Sequence, residues 1–141
     1  MKNRNLAWIL ATSTMVATSF VSAAVSAVAM EDSKNVVCAV IDVVGCTEKG
    51  ACMEGTASSF DLPEFMILDS ANKMIRAATE SGHKSVSAVK NMERSGDHLV
   101  LQGVENSRGW NIAINTKTGR MSASGVGDAV SFLVFGACTA L

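Results

Sequence analysis

From residue 36 onward, apolar and polar positions alternate with a period of two over short runs rich in β-branched residues. These runs recur at about 8–12 residues, the spacing of an all-β sandwich or barrel. No window shows a 3.6-residue apolar stripe longer than about three turns, so helix is a minority element at most. Val36–Val44 (VVCAVIDVV) is apolar on both faces apart from Asp42 and predicts the first strand. Thr56–Phe60 predicts the next, stopped at Leu62-Pro63 because proline has no N–H to give to a ladder. Phe65–Leu68 and Met74–Ala78 flank Asp69-Ser70-Ala71-Asn72-Lys73, whose Asp and Asn suit side-chain capping of a turn, and together predict a hairpin. Val86–Met92 joins Leu99–Val104 through the turn Arg94-Ser95-Gly96-Asp97. Trp110–Ile114 alternates cleanly, with Trp110, Ile112 and Ile114 on one face and Asn111, Ala113 and Asn115 on the other. Thr116-Lys117-Thr118-Gly119 places a glycine where a hairpin of this length needs a positive φ, and Met121 and Ala123 resume the inward face. Ala129–Gly136 (AVSFLVFG) is the most apolar segment, expected to be central or closed on the first strand.

About eight or nine strands joined by tight turns, without a crossover long enough for a helix, predict an all-β antiparallel meander. So long a sheet in so few residues leaves costly edges unless it curls shut, which favours a small closed or nearly closed β-barrel of about eight strands over a sandwich. The interior of such a barrel is filled by side chains or holds one small ligand, and the apolar inventory predicts a filled one.

The N-terminus stands apart from this pattern. Lys2 and Arg4 precede an uncharged run, Leu6–Ala29, that ends in Ala27-Val28-Ala29, and this is the layout of a secretory signal peptide over residues 1–29. A membrane anchor is the alternative for a run of this length, but Ser, Thr and Ala dilute it, and no cysteine stands at the cleavage point for lipid attachment. A single domain, residues 30–141, is then expected in the periplasm or outside the cell, with no stable membrane anchor. Of the 12 basic residues, removal of Lys2 and Arg4 leaves 10 against 13 acids, a net charge of -3. That balance, with aromatics at 5% and no tyrosine, lacks the basic footprint and stacking rings of a nucleic-acid partner.

Export also changes the reading of the cysteines. Cys38, Cys46, Cys52 and Cys138 would meet an oxidising compartment, where an even number reads as two disulfides. Four cysteines permit three pairings. The short polar loop Thr47–Ala51, with Gly50 able to turn, favours Cys46 with Cys52 and leaves Cys38 to meet Cys138, tying the first strand to the last. Gaps of seven and five residues do not match a tight metal-thiolate spacing, and His83 and His98 sit beside the turn residues Gly82 and Gly96, so no metal is expected.

The segment Leu99–Thr139, LVLQGVENSRGWNIAINTKTGRMSASGVGDAVSFLVFGACT, resembles a family of small exported proteobacterial proteins of unassigned activity, and Cys38–Gly55 resembles it more loosely. The resemblance implies a periplasmic or secreted location. A weaker similarity is to the bacterial inhibitors of C-type lysozymes, small exported β-barrels whose first and last strands are also stapled. Their inhibitory loop is rich in Ser and Gly, as Ser122-Ala123-Ser124-Gly125 is, but it lies in a tyrosine-containing pattern, and this chain has no tyrosine.

Candidate chemistry is sparse. Ser95, Asp97 and His98 bring three triad residue types into one turn, yet near-adjacent residues cannot all converge, and a polar hairpin turn is the expectation. Glu105-Asn106-Ser107-Arg108-Gly109 mixes charge, amide and glycine on a loop, where binding groups concentrate, and Arg108 suits bidentate pairing with a carboxylate or phosphate. Ser124, Gly125 and Asp128 belong to a second candidate loop at the same barrel end. Trp110 leads an apolar alternation and reads as a core anchor. Met53, Met66, Met74, Met92 and Met121 fall in different elements and read as gap fillers. No nucleophile-elbow, zinc-protease or phosphate-loop motif is present, and with no cofactor implied, catalysis is not expected. Two functions are consistent with these residues: an exported module that binds a protein partner through the two loops, possessing an inhibitor-like surface, or a lipocalin-like carrier of a small apolar ligand. Interior volume separates them, since a packed lumen excludes the carrier.

Overall fold

A computed structural model describes residue 30 and residues 33–79 and 84–141; residues 1–29, where a signal peptide is expected, and His83 lie outside the described residues. The elements run β1 (Asn35–Thr47), β2 (Cys52–Gly55), a short 3-10 helix (Ala57–Phe60), β3 (Phe65–Asp69), β4 (Met74–Ala77), β5 (Val86–Ser95), β6 (His98–Glu105), β7 (Arg108–Asn115), β8 (Arg120–Val126) and β9 (Val130–Ala140). Every neighbouring pair is antiparallel, in the order β2-β1-β3-β4-β5-β6-β7-β8-β9, and β1 also pairs with β9. The meander therefore closes on itself, with β2 as an extra strand on the C-terminal half of β1.

Closure is made by the long seam between β1 and β9, in register from Val36 opposite Ala140 to Thr47 opposite Val130. Cys38 faces Cys138 directly across it with Cα atoms 4.0 Å apart, and the two form a disulfide. Cys46 likewise faces Cys52 across the β1–β2 hairpin and is joined to it, Cα atoms 4.1 Å apart. Opposed residues on adjacent strands bring their side chains to the same face, so both bridges follow from register. Both pairings favoured by loop length are the ones formed.

Inward positions make the core: Val36 and Val43 of β1, Leu68, Val89, Leu101, Ile114, Met121 and Val134 are all buried. Two irregularities adjust this alternation. The register shifts between Val40 and Asp42 in β1 and between Val89 and Asn91 in β5, so each strand carries one extra residue, and Val43 and Met92 return to the inward face. Gly119 adopts the positive φ that its turn requires, 73°. The Asp69 turn is held by the Asn72 side-chain amide and backbone N–H, which donate to the Asp69 carboxylate at 2.8 and 3.0 Å and keep its pKa below the usual aspartate range.

One predicted strand is corrected. Thr56–Phe60 is not a strand: Ala57–Phe60 forms the 3-10 turn, and the strand lies earlier, at Cys52–Gly55. The Thr56 hydroxyl is within 2.9 and 3.2 Å of the Ser58 and Ser59 hydroxyls, local bonds that compete with ladder pairing. The turn drives Phe60 onto Gly45, where even a Cβ would overlap its ring.

Candidate functional site

The two ends of the barrel differ. At the end bearing the β5–β6 and β7–β8 turns, the buried Met30 side chain lies with Met92, Arg94, Leu99 and Ile114 around a space of only about 100 Å³. The other end bears the β6–β7 and β8–β9 turns and the segment after the 3-10 helix. There the lumen opens into a cavity of about 390 Å³. The interior is therefore filled toward the first end, as expected, and open toward the second, where that expectation fails.

The cause is the composition of one ring of inward positions. Across β1, β9, β8, β7 and β6 the directly opposed residues are Gly45, Phe132, Gly125, Trp110 and Gly103. Glycine alternates with an aromatic, and the rings fold over glycines instead of meeting in the centre. Phe60 covers Gly45, and Phe132 meets Phe60 edge-on at 5.8 Å and 83°. Trp110 lies across Gly103 with no room for a Cβ, and its indole N–H donates to the buried Ser87 hydroxyl at 2.9 Å. Beside Gly125 the nearest atom to a Cβ position is 3.9 Å away, so that strand leaves the lumen open. Ala77, Ile112, Ala123 and Val134 supply further apolar wall.

Polar groups are confined mainly to the mouth. Asp61, Leu62 and Pro63 form one side, and Glu105, Asn106 and Arg108 the other. The β6–β7 connection is a two-residue turn in which Asn106 and Ser107 both have positive φ, 49° and 61°, the geometry that matches strand twist.

The candidate loop residues thus divide. Glu105, Asn106, Arg108 and Gly125 line the cavity or its mouth. Ser107 sits exposed at the turn tip, and Asp128 is exposed in the β8–β9 turn. Ser124 and Gly125 are strand residues within β8, with Ser124 opposite Asn111 and Leu133 on the outward face, so the Ser/Gly-rich segment is no projecting loop. Phe132, Ser87, Ala123 and the Asp61–Pro63 segment are not among the candidate binding residues of the sequence, although Ala123 reads there as inward-facing. The signal that could have found them is the glycine–aromatic alternation, legible only once register is known. Trp110 is both wall and anchor.

The Ser95, Asp97 and His98 turn lies at the opposite end. Asp97 pairs with Lys117 at 3.0 Å, its carbonyl accepts from the Thr116 hydroxyl at 3.1 Å, and His98 Nε2 is 3.5 Å from Asn115 Nδ2. It is a polar hairpin turn tied to the β7–β8 connection. Among the described residues no cluster of three or more His, Cys, Asp or Glu could hold a metal ion, and no helix is long and apolar enough to cross a membrane.

Fold and site define a class: a closed, disulfide-bonded antiparallel barrel whose lumen is apolar, open at one end and ringed there by a few charged groups. No family model, curated protein or solved structure matches the chain.

Proposed function

We propose that the protein is an exported, non-catalytic carrier that holds one small, largely apolar ligand in the lumen. The observation that carries this reading is the cavity of about 390 Å³, which falls in the range of roughly 300–1,000 Å³ typical of small-molecule sites. At about 30 Å³ per non-hydrogen atom, the share of a water in the liquid, it admits about a dozen such atoms. Trp110 spends its only polar group on Ser87 and offers the ligand an apolar face. A location in the periplasm or outside the cell is supported by the two disulfides.

Titration calorimetry with octan-1-ol tests this. One molecule is expected to bind per barrel, with a negative heat-capacity change from apolar burial. Absence of saturable binding up to the solubility limit sinks the proposal.

A second reading, docking of a protein partner at the same end, is favoured by the convergence of the two candidate turns: the Arg108 side chain lies against Gly127 of the β8–β9 turn. It predicts that replacing Ser107 and Asp128 by Ala weakens capture of a partner from the exported fraction while octan-1-ol binding is unaffected.

A further inference from the structure

We infer that the ligand is a single-chain monocarboxylate of about eight to ten carbons, its chain in the lumen and its carboxylate received by Arg108 at the mouth; this rests on the carrier reading above. Three charged side chains line the cavity and its mouth: Asp61, Glu105 and Arg108. Glu105 stands directly opposite Arg108 across the two-residue turn. Yet among the described residues Arg108 makes no ion pair or side-chain hydrogen bond. Its stem instead runs along Gly127, where a Cβ would come within 3.2 Å of Arg108 Cγ and 3.5 Å of Nε. That course brings the guanidinium carbon to 6.0 Å from the centroid of Phe132, a wall of the cavity.

An exposed guanidinium without a protein ion pair among the described residues is thus placed where the apolar wall meets water. A chain lying against Phe132 and Trp110 delivers its terminal group to this point. Guanidinium presents parallel N–H donors that match a carboxylate bidentately, a fit an alcohol or amide cannot reproduce. Asp61 and Glu105 set the other limit. They repel a second negative charge, so a dicarboxylate or a phosphate dianion is disfavoured at the same mouth.

The test is calorimetric titration of the full chain, expressed with its own leader in an exporting host, with octanoate, octan-1-ol, octylammonium and octanedioate. Octanoate is expected to bind about tenfold more tightly than octan-1-ol, a gain that shrinks as salt is raised because the pair is exposed. Octylammonium and octanedioate should bind more weakly than octanoate. Arg108→Ala should lower octanoate affinity about tenfold and leave octan-1-ol unchanged, and Arg108→Lys should restore part of the difference. Equal affinity for octanoate and octan-1-ol, untouched by Arg108→Ala, overturns the carboxylate assignment while the carrier reading stands. Preference for octylammonium, lost in Glu105→Gln, overturns it in favour of the acids. If none of the four binds, the carrier reading fails and this inference with it.

Discussion

Replacing Ala123 by phenylalanine distinguishes an open lumen from a packed one. Ala123 faces inward between Ile112 of β7 and Val134 of β9, and all three line the cavity. The added ring brings six carbons, which at about 30 Å³ each occupy at most about 180 Å³. That is under half of the ≈ 390 Å³ present. In a filled core such an insertion costs about 1–3 kcal/mol through displaced neighbours. In an open lumen the ring is buried without displacement, and burial of a phenylalanine offers about 1.5–3 kcal/mol against the cost of ordering it. Stability is therefore expected to stay within about 1 kcal/mol of the parent, or to rise. Binding should respond oppositely. An octyl chain has about eight buried groups at about 0.8 kcal/mol each, roughly 6 kcal/mol before the cost of association. Losing about half the room removes about 3 kcal/mol, or about two orders of magnitude in affinity. Urea unfolding measures the first quantity and calorimetry with octan-1-ol the second. A stability loss of about 2–3 kcal/mol at unchanged m-value shows that the lumen is packed, and an affinity within about twofold of the parent puts the ligand elsewhere.

The two disulfides should differ in worth. Cys38 and Cys138 are 100 residues apart and Cys46 and Cys52 six. By the loop-entropy relation, the double alanine variant of the first pair should lose about 4–5 kcal/mol and that of the second about 2 kcal/mol in non-reducing thermal unfolding. Equal losses contradict the seam as the main constraint. Gly103→Ala sets a Cβ inside the Trp110 ring and 2.7 Å from the Ala88 carbonyl oxygen, which is backbone and cannot swing away. A loss of about 2–3 kcal/mol and altered Trp110 fluorescence are expected, and unchanged emission with unchanged stability contradicts the placement of that ring. Ser107 holds a φ of 61°, where a side chain is strained. Ser107→Gly should raise the urea midpoint by the equivalent of about 1 kcal/mol, and a lowered midpoint contradicts the turn geometry.

Closure of the barrel was legible because it follows from features printed along the chain. The apolar first and last runs, the cysteines within or beside them, and the clean alternation from Trp110 to Ile114 all describe one strand at a time. The Thr56–Phe60 error has a local cause: hydroxyls at Thr56, Ser58 and Ser59 satisfy one another in a tight turn, and a five-residue window does not reveal that choice. The lumen was hidden for a different reason. Period-two alternation says which side chains point inward, but volume depends on which of them share a level. That is set by register across five strands and shifted by the irregularities in β1 and β5. Gly45, Gly103 and Gly125 are far apart in sequence and meet in one ring only after folding. The same registration brings Glu105, Asn106, Arg108 and Gly125 to the cavity while turning Ser124 outward, so a reading by loops found part of the rim and, of the wall, only Gly125.

The most direct measurement of where a ligand goes is a set of intermolecular NOEs between octan-1-ol and protein methyl groups. The lumen account predicts contacts from the octyl chain to the methyls of Ala77, Ile112, Ala123 and Val134, and none to the outward-facing Leu133. Contacts centred on Leu133, with the four inner methyls silent and unshifted at saturating octan-1-ol, would contradict it.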